Sequence, residues 1–293
     1  MRARAPDVVG QVVRDGVTLG YERYGDPAAS DRPTILLMPT WTIIHTRFWK
    51  LQVPYLARHF PVVVYDGPGN GASDRTTDPT RYTGRAYAAD AAAVLDECGV
   101  ERAVVVGMSM GGRYAVELAA LRPELVAGLV MIDPALPVAP KESDRQHAAE
   151  RFLDPAPEHP DGWERYNLAY WHAHYHEFTE WFFQQCFPEP HSTKVREDAV
   201  GWAAESGPAI LEAEAAHPTG GRPVRELLAQ VRCPTLVVHG DEDRVISYQI
   251  GVEAARLTGG TLVTFAGSGH IPNLRDPVRF NLLLREFAER MPV

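Results

Sequence analysis

The chain has 293 residues, a formal charge of −9, and 45% hydrophobic against 23% charged side chains. That balance supports a substantial buried core and gives no reason to expect disorder. The negative charge argues against a nucleic-acid or anionic-membrane surface, and no apolar run is long enough to span a bilayer, so neither is expected as a partner.

In chain order, residues 9–13 and 17–24 predict a hairpin turned at Asp15-Gly16. A polar linker over 26–32 leads to a third strand at 34–37, and a helix over 47–58 precedes a fourth strand at 62–65. The next helix, 86–98, ends at Gly99 and is expected to pack through Ala89, Ala93 and Leu95-Asp96. An apolar run at 103–106, a proline-free helix at 112–121 and a sixth strand at 129–132 follow. From 134 to 221 the alternation stops, and Pro, His and aromatic residues dominate. It resumes with strands at 234–239 and 261–265. Strands alternating with helices imply a parallel sheet covered on both faces.

Gly107-Met108-Ser109-Met110-Gly111 lies at the junction of the 103–106 run and the following helix. G-x-S-x-G in that setting is a nucleophile elbow, a sharp strained turn that lifts a serine hydroxyl clear of the sheet. A serine hydroxyl needs a base, and the base needs an orienting carboxylate. His270, after the 261–265 strand in Ala266-Gly267-Ser268-Gly269-His270, is alone among the eleven histidines in combining a strand end, a Gly-rich approach and a following helix. Asp241, Glu242 and Asp243 follow the 234–239 strand and compete for the acid. Both loops lie past the carboxyl ends of strands, where sites form in open parallel sheets.

These motifs resemble the α/β-hydrolase fold family from about Val12 to Phe287, and Tyr65-Asp66-Gly67-Pro68-Gly69-Asn70-Gly71-Ala72-Ser73-Asp74 is similar to its D-x-x-G-x-G-x-S-D segment. That segment is assigned a structural role. The resemblance implies an α/β fold with a mostly parallel eight-stranded sheet, helices on both faces and a helical cap inserted after strand 6. It divides the chain into a core of 1–133 and 222–293 and a cap of 134–221. The pattern H-G-x-x-D-x-V favours Asp243 as the acid over Asp241, whose alternative role is to cap the loop. The family usually carries His-Gly after the third strand, where this chain has Met38-Pro39-Thr40-Trp41-Thr42. Proline has no N–H, so the implied oxyanion-hole donors are the N–H groups of Met110 and Thr40, with Trp41 as second choice.

The cap aromatics recur at spacings of three and four, and Trp181, with Trp41, is expected to line an apolar substrate pocket. His172, His174 and His176 alternate on a helical segment and would not converge on a metal. No metal and no cofactor are expected. Cys98, Cys186 and Cys233 read as free thiols, and the first ten residues lack a signal-peptide core, so a cytoplasmic location is expected. The partner is a small-molecule substrate, and a homodimer stays open. The leading function is hydrolysis of a carboxylic ester or thioester through an acyl-enzyme. The same three residues would equally serve a C–C bond hydrolase, a perhydrolase, or an acyl-transferring or cyclising enzyme. A receptor that binds without turnover is the remote third class.

Overall fold

The computed structural model describes residues 3–139, 144–218 and 222–292. β1 (Val8–Arg14) and β2 (Val17–Tyr24) form the antiparallel hairpin, turned at Asp15 and Gly16, both with positive φ. β3 (Thr34–Leu37) leads to a 3-10 segment, Thr46–Leu51, and one helical turn, α1 (Val53–Leu56), before β4 (Val62–Tyr65). The helix expected over 47–58 is thus broken. Gln52 separates its halves, with its side-chain amide donating to the Asn273 carbonyl, and Pro54 is confined to the first turn of α1, where its missing N–H does no harm.

α2 (Gly84–Glu97), β5 (Ala103–Met108), α3 (Met110–Leu121) and β6 (Val126–Ile132) follow. α2 starts two residues earlier than expected because the Thr83 hydroxyl caps the Ala86 N–H. Its buried face is Tyr87, Ala88, Ala91, Val94 and Leu95. Of the expected packing residues only Leu95 lies there; Ala89 and Ala93 are half-buried and Asp96 is exposed, because alanines on both sides hide which one faces the core.

Between β6 and β7 (Thr235–Gly240) run α4 (Asp144–Glu150), α5 (Leu168–Cys186), α6 (Thr193–Ala203), α7 (Pro208–Ala215) and α8 (Val224–Leu228). The expected boundary at Gly221 lies outside the described residues. α9 (Tyr248–Thr258), β8 (Thr261–Phe265), α10 (Pro272–Arg275) and α11 (Pro277–Ala288) complete the chain.

One eight-stranded sheet results, in the order β1-β2-β4-β3-β5-β6-β7-β8. β2 is antiparallel to both neighbours and all later pairings are parallel. Every residue of β3 to β7 is buried, which requires cover on both faces. α2, α3, α8 and α9 form one contiguous layer, and α1, α10 and α11 form another. β5 lies in the middle, so its carboxyl end is flanked by those of β3 and β6. Among the described residues no helix is long and apolar enough to cross a membrane.

The hairpin is locked to the core by Asp90 of α2, which is fully buried. Its Oδ1 accepts from Arg81 Nη2 at 2.8 Å and from Arg14 Nε. Burial raises the pKa of the Asp90 carboxyl, and the two guanidinium groups pull it back. Truncation in Asp90→Ala strands the buried Arg81 charge. The unfolding free energy from urea titration should fall by about 3 kcal/mol, the low end for such a cut because Asp15 still faces Arg81.

Candidate active site

Ser109 joins β5 to α3 at φ 53°, ψ −117°. Three backbone bonds hold that turn: Ser109 N–H to Ile132 O at 2.8 Å, and Ser109 O accepting from Gly112 N–H at 3.0 Å and Ala135 N–H at 2.9 Å. The flanking glycines are required by contact. A Cβ on Gly107 would lie 2.1 Å from Gly111 O, and one on Gly111 would lie 2.4 Å from Pro39 O. The loop after β3 therefore rests directly on the elbow.

His270 Nε2 lies 3.1 Å from Ser109 Oγ, and its Nδ1 lies 2.7 Å from Asp243 Oδ2. Asp243 Oδ1 accepts from the Val245 and Ile246 N–H groups at 2.7 and 2.9 Å. Burial opposes ionisation of Asp243, but the interactions with His270 and His239 outweigh it and hold its carboxyl well below the usual carboxylate range. Asp241 is exposed and its Oδ1 accepts from Gly267 N–H at 2.7 Å, a loop-capping contact. The arrangement can take a proton from the serine hydroxyl, return it to a leaving group, and hold the imidazole in one orientation throughout.

The Thr40 hydroxyl donates to Met108 O at 2.9 Å, which seats Thr40 beside the elbow. Among the described residues, the backbone N–H groups of Thr40 and Met110 have no acceptor. Trp41 packs on Tyr166, Trp171, Phe178 and Phe182, with centroids between 5.0 and 6.2 Å. Trp181 meets Trp163 and Phe178 and lies under the Arg165 guanidinium. A groove of about 650 Å³ lined by Arg47, Lys50, Lys194 and Trp202 includes none of Ser109, Asp243 and His270, so its volume says nothing about the site. His172, His174 and His176 face three different glutamates, Glu212, Glu177 and Glu180. Cys98, Cys186 and Cys233 form no disulfide.

Four neighbouring residues escaped the sequence reading. Asp133, at the end of β6 with φ 41°, and His239, at the end of β7, are both fully buried behind Asp243. His239 Nε2 lies 3.3 Å from Asp133 Oδ1 and 3.4 Å from Asp243 Oδ2. Burial, then the Asp243 charge, pushes the Asp133 carboxyl well above its usual range. One ligand-capable atom from each of the three comes within 4.8 Å of the others, but hydrogen bonds already engage both Asp243 oxygens. Glu189, past α5, accepts from Gly269 N–H at 2.5 Å, and the Cys186 carbonyl accepts from His270 N–H at 3.0 Å. Glu214 of α7 is buried against Thr42 and Tyr114. Only Glu214 left a sequence signal: it falls four residues after Ile210 and three after Leu211, on the apolar face of its helix.

The chain matches the alpha/beta hydrolase fold family over residues 33–277. It belongs to that family. Among its relatives, "Putative carbamate hydrolase RutD" of Caulobacter sp. (strain K31) is 30% identical over 92% of this chain and 95% of that protein. "Bifunctional esterase/perhydrolase DCH" of Acinetobacter calcoaceticus is 28% identical over 88% and 91%. The solved structure of Est816, described as an N-acyl homoserine lactone degrading enzyme, superposes with a TM-score of 0.77 at 25% identity, covering 95% of this chain and all of that one. This alpha/beta hydrolase is therefore a member of an enzyme family of hydrolases and esterases.

Gly111→Ala should force the Pro39 carbonyl off the elbow. The expected loss is about 1–3 kcal/mol of unfolding free energy in urea, and a stability equal to wild type would mean that the loop yields freely.

Proposed function

We propose that this alpha/beta hydrolase cleaves a small-molecule carboxylic ester or thioester through an acyl-enzyme, with Ser109 as nucleophile, His270 as base and Asp243 as its orienting acid. The observation that carries the reading is the continuous hydrogen-bonded chain from Ser109 Oγ through His270 to Asp243. Ser109 Oγ attacks the carbonyl carbon while its proton passes to His270 Nε2. The tetrahedral oxyanion is received by the N–H groups of Thr40 and Met110, each worth roughly 3 kcal/mol when preorganised. Collapse breaks the bond to the leaving oxygen or sulfur, which takes the proton from His270. Water then repeats the attack, releasing the acid and restoring Ser109.

The core is 1–133 and 222–293, and 134–221 is the cap that encloses the substrate, with Trp41 and Trp181 among its contacts. A second reading, a carbamate substrate, draws on the likeness to the protein named as a carbamate hydrolase. The same attack would then yield a carbamoyl-enzyme, so a panel of aryl esters, thioesters and aryl carbamates distinguishes the two by relative kcat/KM.

A fluorophosphonate should label Ser109 alone, and Ser109→Ala should lower turnover about a millionfold while the circular dichroism is kept. Labelling of Ser73 or Ser268 with Ser109 untouched would remove the reading.

Asp243→Asn should lose activity by about ten-thousandfold, whereas Asp241→Asn, which touches only the loop cap, should stay near wild type. Equal losses measured by kcat/KM would reassign the acid.

A further inference from the structure

A buried carboxyl is expected to face a cation or to carry a proton. Glu214 is fully shielded, yet its partners are neutral donors. Oε2 accepts from the Thr42 hydroxyl at 2.7 Å and the Thr42 N–H at 3.4 Å, and Oε1 accepts from the Tyr114 hydroxyl at 3.2 Å. The Trp41 indole also donates toward it. These donors belong to two walls of the site. Thr42 and Trp41 directly follow Thr40, and Tyr114 sits just over one turn along the helix that begins beside Ser109. Tyr114 is itself held by stacking on Tyr87, with centroids 3.8 Å apart and planes within 6°.

We propose that Glu214, as a carboxylate, is a positioning residue for hydrolysis: it draws Trp41 and Thr42 onto α3 and so fixes the Thr40 N–H beside Ser109. The proposal rests on the reading of Thr40 as an oxyanion donor. Donors converging from separate elements suit an ionised acceptor, because it can accept from all of them and has no hydrogen of its own to place. The protonated acid must itself donate, so the hydroxyl of Thr42 or Tyr114 has to turn its hydrogen away and accept instead, and the charge-assisted bonds that held the loop to α3 become weaker neutral ones.

Burial pushes the Glu214 carboxyl up to about 7, with the Thr42, Tyr114 and Trp41 donors pulling against it. The titratable groups facing it are Tyr82 before α2, Tyr87 of α2, Tyr114 of α3 and Tyr175 of α5. Burial raises all four phenols, so they remain neutral across the range in which Glu214 ionises. The loop is therefore held more tightly as pH rises through about 7.

The test compares Glu214→Gln with wild type on a short aryl ester from about pH 5.5 to about pH 8.5. The histidine limb is common to both proteins and cancels in the ratio of their kcat values. At the alkaline end the variant should turn over about tenfold more slowly, with KM changed less than about twofold. The ratio should climb toward one as pH falls, because protonated wild-type Glu214 then resembles glutamine. A ratio flat with pH, whether at one or below it, overturns the proposal, since a merely structural role would not follow the ionisation. If Glu214→Gln fails to fold by circular dichroism, Tyr114→Phe carries the test. Loss of one donor should move the wild-type limb to higher pH, and an unmoved limb overturns the proposal. A wild type that neither hydrolyses esters nor takes up fluorophosphonate removes the functional reading and this proposal with it. A wild type that does both, with a flat ratio, removes this proposal alone.

Discussion

Ser109 stands at φ 53°, ψ −117°, a backbone region that costs an L-residue about 1–3 kcal/mol and persists only where its surroundings over-determine it. Here they do so from three directions. The carboxyl end of β6 takes the serine N–H, the following loop returns a bond to its carbonyl, and the Pro39 carbonyl presses on Gly111. The same contacts decide which residues can stand nearby. No side chain fits at Gly107 or Gly111, so the loop after β3 comes close enough for the Thr40 hydroxyl to donate to the Met108 carbonyl. The contacts that hold the strained serine thus also hold the loop after β3 against the elbow.

Behind the elbow, burial alone would keep acidic groups neutral, and their partners decide how far each departs from that. Asp243 has His270, His239 and two backbone N–H groups, and it ionises. Asp133, within a few ångströms, has among the described residues the Gly240 N–H and part of His239, and the Asp243 charge opposes its own. Two carboxylates so close cannot both be charged in a dry interior. The Asp243 charge thus adds to burial in raising Asp133, while Asp243 keeps the partners that lower it. Glu214 lies between these cases, because its donors are numerous but uncharged.

The fold was legible because β3, β5, β6 and β7 each carry a run of at least three consecutive apolar residues, and such a run needs no knowledge of tertiary partners to read. Ser109, Asp243 and His270 were legible because each lies on a loop directly past a strand end, beside glycines. Thr40 could be singled out only through the resemblance to the family, since no side-chain chemistry marks a backbone donor. Asp133 and His239 were hidden because each looks like the polar residue that ends any buried strand. The error at α2 has the same origin: in Ala88-Ala89-Asp90-Ala91-Ala92-Ala93, hydrophobicity does not distinguish inward from outward alanines, and the buried Asp90 inverts the expected pattern.

The helices between β6 and β7 are tied by hydrogen bonds to the loops around Ser109 and His270. The end of α5 and the residues beyond it hold the histidine loop through the Cys186 carbonyl and Glu189, while α7 holds the loop after β3 through Glu214. Were these elements to swing away as one body, the His270 N–H and the Thr42 side chain would lose these partners. α5, however, is not one rigid rod. At His174 its backbone leaves the helical region, with φ −138° and ψ 42°. The buried anchors of the two loops all come after that break, whereas Tyr166 and Trp171 precede it and meet Trp41 through ring contacts, and the bonds that cross the break, Tyr170 to Glu177 and His172 to Glu212, lie nearer the surface. Ring packing is non-directional and can slide where a buried charge-assisted bond cannot. The region between β6 and β7 is thus divided at His174: beyond it, directional hydrogen bonds tie the chain to the His270 loop and the loop after β3, while the rings before it pack on Trp41.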